Sequence, residues 1–189
     1  MRRLAGWLSL LLVCTALNTT LGAEPPAQYP PTSIYQLEAA LTDQDGGLHG
    51  LDVYRGHPVL ITMFYASCPA SCPLIIDTLR ATEKDLTAAQ RADLRVLMIS
   101  IDPERDTPAA LKSLAGTRRI DTTRWTLART DAASVRTIAA LLNLQYRKLP
   151  NGEYNHSTVI ALLTPQGEIE TRSSKLGTAD AALLARMRN

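Results

Sequence analysis

Pro58-Val59-Leu60-Ile61-Thr62-Met63-Phe64-Tyr65 runs directly into Ala66-Ser67-Cys68-Pro69-Ala70-Ser71-Cys72-Pro73. The first eight residues are a continuous apolar run of strand length, as expected of a strand buried on both faces. Pro73 is favoured in the first turn of a helix, where its missing N–H has no partner to lose. The amphipathic segment 72–85 then predicts a helix. Two cysteines therefore fall where a buried strand gives way to a helix.

Working outward, Leu94 to Ile101 reads as a second strong strand, and Asp106-Thr107-Pro108 as a cap that starts a helix reaching about Ala115. Trp125 to Arg129 predicts a short strand. Asp131 predicts the start of a helix with Val135, Ile138, Ala139 and Leu142 on one face. Thr158 to Leu163 and Glu168 to Arg172 read as a hairpin about Pro165-Gln166-Gly167, followed by a helix over about 178–187. Residues 37–53 predict two short strands about the turn Asp43-Gln44-Asp45-Gly46-Gly47. The order β-α-β-α-β-α-β-β-α implies an α/β fold with a central mixed sheet flanked by helices and an N-terminal β-hairpin extension. A cysteine pair after the first buried strand is where a thioredoxin-like fold carries its reactive thiols.

The N-terminus reads as an export signal. Arg2 and Arg3 precede an apolar stretch from Leu4 to Leu17, and small or polar residues lead to a cut expected after Ala23. An uncleaved anchor is the alternative. Residues 24–33 form a Pro-rich linker, and one domain is expected over 34–189. Arg2 and Arg3 are the charges of the leader, so its removal takes the net charge from +2 to neutrality. A neutral domain gives no bulk electrostatic case for nucleic acid or an anionic membrane. Membrane contact is expected only through a target or an uncleaved N-terminus. Cys14 leaves with the leader, so Cys68 and Cys72 are the cysteines of the mature chain. Composition is that of a globular domain, 46% hydrophobic and 20% charged.

Three residues separate Cys68 from Cys72. The N–H groups at a helix start stabilise thiolate, so both sulfurs are expected to be more acidic than an ordinary thiol. Two thiolates on one turn suit a soft metal such as Cu(I). A disulfide here would close a very short loop and constrain little of the unfolded chain. A structural zinc site would need four ligands, with His49 and His57 as the further imidazoles, and both lie in turn-like segments. From spacing alone, metal binding and thiol redox chemistry both stay open. His156, in Glu153-Tyr154-Asn155-His156-Ser157-Thr158, favours the metal. In a thioredoxin-like fold this loop lies against the cysteine-bearing helix start. Thioredoxins place a cis-proline there, whereas this chain has no proline between Pro150 and Pro165 and offers an imidazole. Two thiolates plus an imidazole serve both Cu(I) and Cu(II). A peroxiredoxin-like peroxidase shares the fold, but Pro-x-x-x-Thr-x-x-Cys is absent ahead of Cys68.

Four blocks, in order, resemble the Sco/SenC family of copper chaperones and thiol reductases serving cytochrome oxidase assembly. They are Leu41-Thr42-Asp43-Gln44-Asp45-Gly46, Phe64-Tyr65 through Cys68 to Cys72-Pro73, Ser100 to Pro108 (Ser-Ile-Asp-Pro-Glu-Arg-Asp-Thr-Pro), and His156-Ser157 before a strand and Pro-x-Gly turn. Asn155 departs from the pattern, since an Asp often precedes the histidine. The resemblance covers about Leu37 to the C-terminus. It implies Cys68, Cys72 and His156 as ligands of one copper ion, delivered in the periplasm to the two-copper centre of an oxidase subunit. A copper donor or thiol reductant is the implied second partner. It equally implies an enzymatic alternative, in which Cys68 and Cys72 reduce the acceptor's disulfide by thiol–disulfide exchange. For Asp102, Arg105 and Asp106 the expected role is structural, at a strand end and a helix cap.

Overall fold

The computed structural model describes residues 29–68 and 71–188; the leader 1–23 and the first part of the linker lie outside the described residues. The apolar run forms β3 (Val59–Phe64), every residue of which is buried. It pairs in parallel with β4 (Arg95–Ser100), and β4 pairs in parallel with β5 (Trp125–Arg129). On its other side β3 pairs antiparallel with β8 (Ile160–Leu163), which pairs antiparallel with β9 (Ile169–Ser173). At the far edge β1 (Leu41–Asp43) joins β5 antiparallel and carries β2 (Leu48–His49) as the last strand. The sheet order is therefore β2-β1-β5-β4-β3-β8-β9, mixed as the sequence implies.

Four helices each contribute an apolar stripe to the core. Ile75, Ile76 and Leu79 come from α1 (Ser71–Lys84), and Leu111 and Ala115 from α3 (Pro108–Thr117). Val135, Ile138, Ala139 and Leu142 come from α4 (Ala132–Leu142), and Leu183 and Leu184 from α5 (Ala181–Met187). Their caps follow from side-chain chemistry. Thr107 Oγ1 accepts the Ala110 N–H at 3.2 Å, and Asp131 Oδ1 accepts those of Ala133 and Ser134 at 2.8 and 3.0 Å. Among the described residues, no helix is long and apolar enough to cross a membrane.

Several elements differ from the sequence expectation. The short helix α2 (Ala88–Asp93) is extra; its capping box, Thr87 with Gln90, is legible in the chain. Residues 51–54 form a 3-10 turn rather than strand, because burying Leu51 and Tyr54 together requires a helical spacing of three. The final helix begins at Ala181, because Asp180 Oδ1 takes the N–H groups of Ala182 and Leu183. A separate two-stranded sheet, β6 (Tyr146–Lys148) with β7 (Tyr154–His156), was not expected. The end of the Pro-rich stretch packs onto the domain. Ser33 Oγ donates to Gln166 O at 2.5 Å, the Ile34 N–H donates to Gly167 O at 2.9 Å, and the Tyr29 ring meets the edge of Tyr35.

Two ties at the ends of strands position the site. Asp106 is buried, and its Oδ2 accepts the Ala66 N–H at 2.9 Å and the Ser100 hydroxyl at 2.5 Å. The loop after β3 is thereby fastened to the end of β4. At the opposite end Gly167 holds φ +81, and a Cβ there would come within 2.6 Å of Ser33 Oγ and of the Tyr35 ring.

Gly167→Ala should lower unfolding free energy in urea by about 3 kcal/mol, the sum of left-handed backbone strain and overlap. Gly46→Ala, at φ +84 with open space around it, should lose about 1 kcal/mol. Equal losses would show that the 29–35 segment does not pack on this turn. Asp106→Ala should cost about 2 kcal/mol by orphaning the Ala66 N–H, and Asp106→Asn less than half of that, because its amide oxygen still accepts.

Candidate metal centre

The thiols lie at the C-terminal end of β3. The chain leaves the strand at Phe64, the Cys68 N–H returns to Tyr65 O at 3.1 Å, and Cys72 lies within the first turn of α1. Cys72 Sγ–H donates to the same carbonyl at 3.3 Å. The two thiols are within hydrogen-bonding reach of one another, both are buried, and no disulfide joins them. Sequence reasoning made both sulfurs more acidic than usual. For Cys72 the structure reverses this: burial pushes its thiol well above the ordinary value, and the nearby Cys68 and Asp106 push the same way. Removal from water outweighs the helix N-terminus here.

His156 reaches the same end of the sheet through strand register. Thr62 lies opposite Ile160 in an antiparallel pair, so the residues before Ile160 run past the end of β3. Thr62 Oγ1 fixes this approach by donating to Val159 O at 2.8 Å. His156 itself closes β7 opposite Tyr146, and its Nδ1 lies 3.0 Å from Ser157 O. Its ring is half-buried, and one side borders a cleft of about 480 Å³ lined by Gln145, Tyr146, Arg147, Asn155 and Ser157. The imidazole stands 5.7 Å, centroid to centroid, from the Tyr65 ring in a T-shaped arrangement.

The structure thus brings Cys68 and Cys72 together and sets His156 beside the aromatic residue that carries them. Among the described residues, no three His, Cys, Asp or Glu side chains are grouped closely enough to hold one ion. The donor chemistry fits a soft ion: two sulfurs in a dry setting, with a borderline nitrogen nearby. Completing a three-donor site from this arrangement requires the hairpin or the thiol loop to shift.

The hairpin β6–β7 is held by the segment after β4. Asp102, fully buried, accepts the Tyr154 hydroxyl at 3.3 Å and pairs with Arg105 Nε. Arg105 Nη2 donates to Gly152 O at 2.6 Å, and Lys148 pairs with Glu104 at 3.0 Å. The structural role expected for Asp102, Arg105 and Asp106 is what the geometry shows, with one change. The cap of α3 is Thr107, while Asp106 serves the thiol loop. His49 and His57 lie elsewhere: His49 beside Asp43 and Tyr54, His57 against Asp93 at 2.6 Å. Sequence reasoning missed the hairpin and the part played by Tyr65. Asn151-Gly152 between two short alternating runs was the available signal, and Gly152 holds φ +84 at the turn.

Comparison with known proteins shows the family and the fold. The SCO1/SenC family model matches residues 28–189. An SCO2-like protein of Rickettsia prowazekii is 35% identical over 72 residues, which is 38% of this chain and 35% of that protein. The match thus spans about a third of the length of that curated relative. The copper-bound structure of ScoI from Bradyrhizobium japonicum is 26% identical, covers 79% of this chain and 95% of its own, and superposes with a TM-score of 0.63. BsSco, a member of the Sco family of cytochrome c oxidase assembly proteins, shares the fold at 21% identity and a TM-score of 0.65, over 86% of this chain and 96% of its own. With all the described residues inside the family match, the chain belongs to the SCO1/SenC family.

Proposed function

We propose that this protein is a copper-binding metallochaperone that carries one copper ion per chain on Cys68, Cys72 and His156. The observation that supports it is the pair of buried thiols at the end of β3 with an imidazole one ring away on a separate hairpin. Two sulfurs held together in a dry site favour a soft cation, and the imidazole on a separate hairpin offers a borderline nitrogen donor. ScoI of Bradyrhizobium japonicum, the 26% identical relative, has copper bound. The proposed acceptor is the two-copper centre of a cytochrome oxidase subunit. The proposed donor is a periplasmic copper carrier, with a thiol reductant keeping the cysteines reduced. Residues 1–23 act as an export signal in this reading and place the protein in the periplasm.

A second reading is supported by the thiols themselves. Cys68 and Cys72 are close enough to interact and are not joined by a disulfide. One thiolate can attack an acceptor disulfide to form a mixed disulfide. The other then displaces the reduced acceptor, closing a Cys68–Cys72 disulfide in this chain.

Anaerobic titration of the reduced domain should reach one copper per chain. His156→Ala should weaken Cu(II) binding most, because two thiolates leave Cu(II) under-coordinated, whereas Cys68→Ser or Cys72→Ser should harm Cu(I) binding more. A reduced wild-type domain that binds no copper yet catalytically reduces an acceptor disulfide would replace the carrier with the reductase. In that case His156→Ala should leave exchange largely intact. Intact mass of exported material should give a chain beginning at Glu24; retention of residues 1–23 in the membrane fraction would mark an anchored form.

A further inference from the structure

Tyr65 stands where the two halves of the candidate centre meet. Its carbonyl oxygen accepts the Cys68 N–H and the Cys72 Sγ–H, at 3.1 and 3.3 Å. Its hydroxyl donates to Glu153 Oε2 at 2.9 Å, three residues before His156, and the Cys68 thiol lies within reach of the same hydroxyl. Its ring packs against Tyr154 at 5.5 Å and T-shaped against the His156 imidazole at 5.7 Å, centroid to centroid. The side chain is buried, so the phenol fills the space between the thiols and the hairpin. The hairpin's ties through Tyr154, Gly152 and Lys148 go to the segment 102–105 instead. The Tyr65–Glu153 bond joins the hairpin to the thiol loop.

We propose that Tyr65 is a positioning residue that holds the His156 hairpin apart from the thiols through its hydrogen bond to Glu153, and so biases the centre toward Cu(I). This role rests on Cys68, Cys72 and His156 being the copper ligands. The three donors do not converge in this arrangement. Drawing the imidazole onto an ion held by the two sulfurs therefore requires the hairpin and loop to move relative to each other. That movement strains or breaks the hydroxyl–carboxylate bond. Cu(I) is content with two sulfurs and leaves the bond intact, whereas Cu(II) needs the nitrogen and bears its loss. A phenylalanine would keep the ring contacts and the carbonyl, and would remove the tie alone.

The test uses Tyr65→Phe, with Glu153→Ala as an independent cut of the same bond. Without metal, amide hydrogen exchange across 146–156 should quicken about tenfold in both variants, as loss of one hydrogen bond to a charged group implies, while exchange in β3 and β4 stays unchanged. With metal, Cu(II) affinity should rise about tenfold and Cu(I) affinity should change less than twofold. Unchanged hairpin exchange overturns the proposal, as does Cu(II) affinity that is unchanged or weaker in Tyr65→Phe. If the wild-type domain takes no copper, the ligand reading fails, and the exchange measurement alone decides whether Tyr65 positions the hairpin.

Discussion

The burial of β3 on both faces is the constraint from which the rest of the molecule follows. Its six side chains are shielded from water, so its backbone groups must be satisfied by strands on both sides. β4 supplies one side in parallel and β8 the other antiparallel. That mixture of directions sends the chain after β3, the chain after β4 and the chain before β8 to the same end of the sheet. Cys68, Asp106 and His156 lie on those three segments. Their meeting follows from strand direction, although 88 positions separate Cys68 from His156.

The segment after β4 turns that meeting into a defined geometry. Asp106 fastens the thiol loop by its Ala66 N–H, while Asp102 and Arg105 fasten the hairpin by Tyr154 and Gly152. Both carboxylates are buried and hydrogen-bonded, which removes the penalty of an unpaired buried polar group. A block that reads in sequence as a strand end and a helix cap thus acts as a frame with one arm on each half of the centre. The arms attach at different residues, and the Tyr65–Glu153 hydrogen bond links the two halves directly.

The environments of the candidate donors differ in a way that fits the proposed copper-carrying role. The thiols are buried, and burial pushes the Cys72 thiol up. The imidazole borders an open cleft. Sulfur in a dry site favours Cu(I), while a nitrogen donor at the rim can be recruited or released as coordination changes. Tyr65 belongs to both environments, its carbonyl facing the sulfurs and its phenol facing the hairpin.

Local chemistry made much of this legible in the chain. The apolar run 59–65, Pro73, Thr107-Pro108 and Asp131 each act on their immediate neighbours, so the strand, helix starts and caps could be read residue by residue. The cysteine pair was legible for the same reason, since one strand–helix junction carries it. His156 could be set at the right end of the sheet from the order of elements, but not its surroundings. The hairpin β6–β7 is only three residues a side, too short for periodicity to register, and it stands because Asp102, Glu104 and Arg105 hold it from a distant segment. The Cys72 thiol shows the same limit. Its helix position predicts acidity, whereas burial, set by every element packed around it, decides the opposite. The sequence by itself determined the α/β architecture, the family and the candidate donors, because these rest on patterns a few residues long. Tertiary structure alone decided that the imidazole meets the thiols across Tyr65, because that contact depends on strand directions and on hydrogen bonds between segments far apart in the chain.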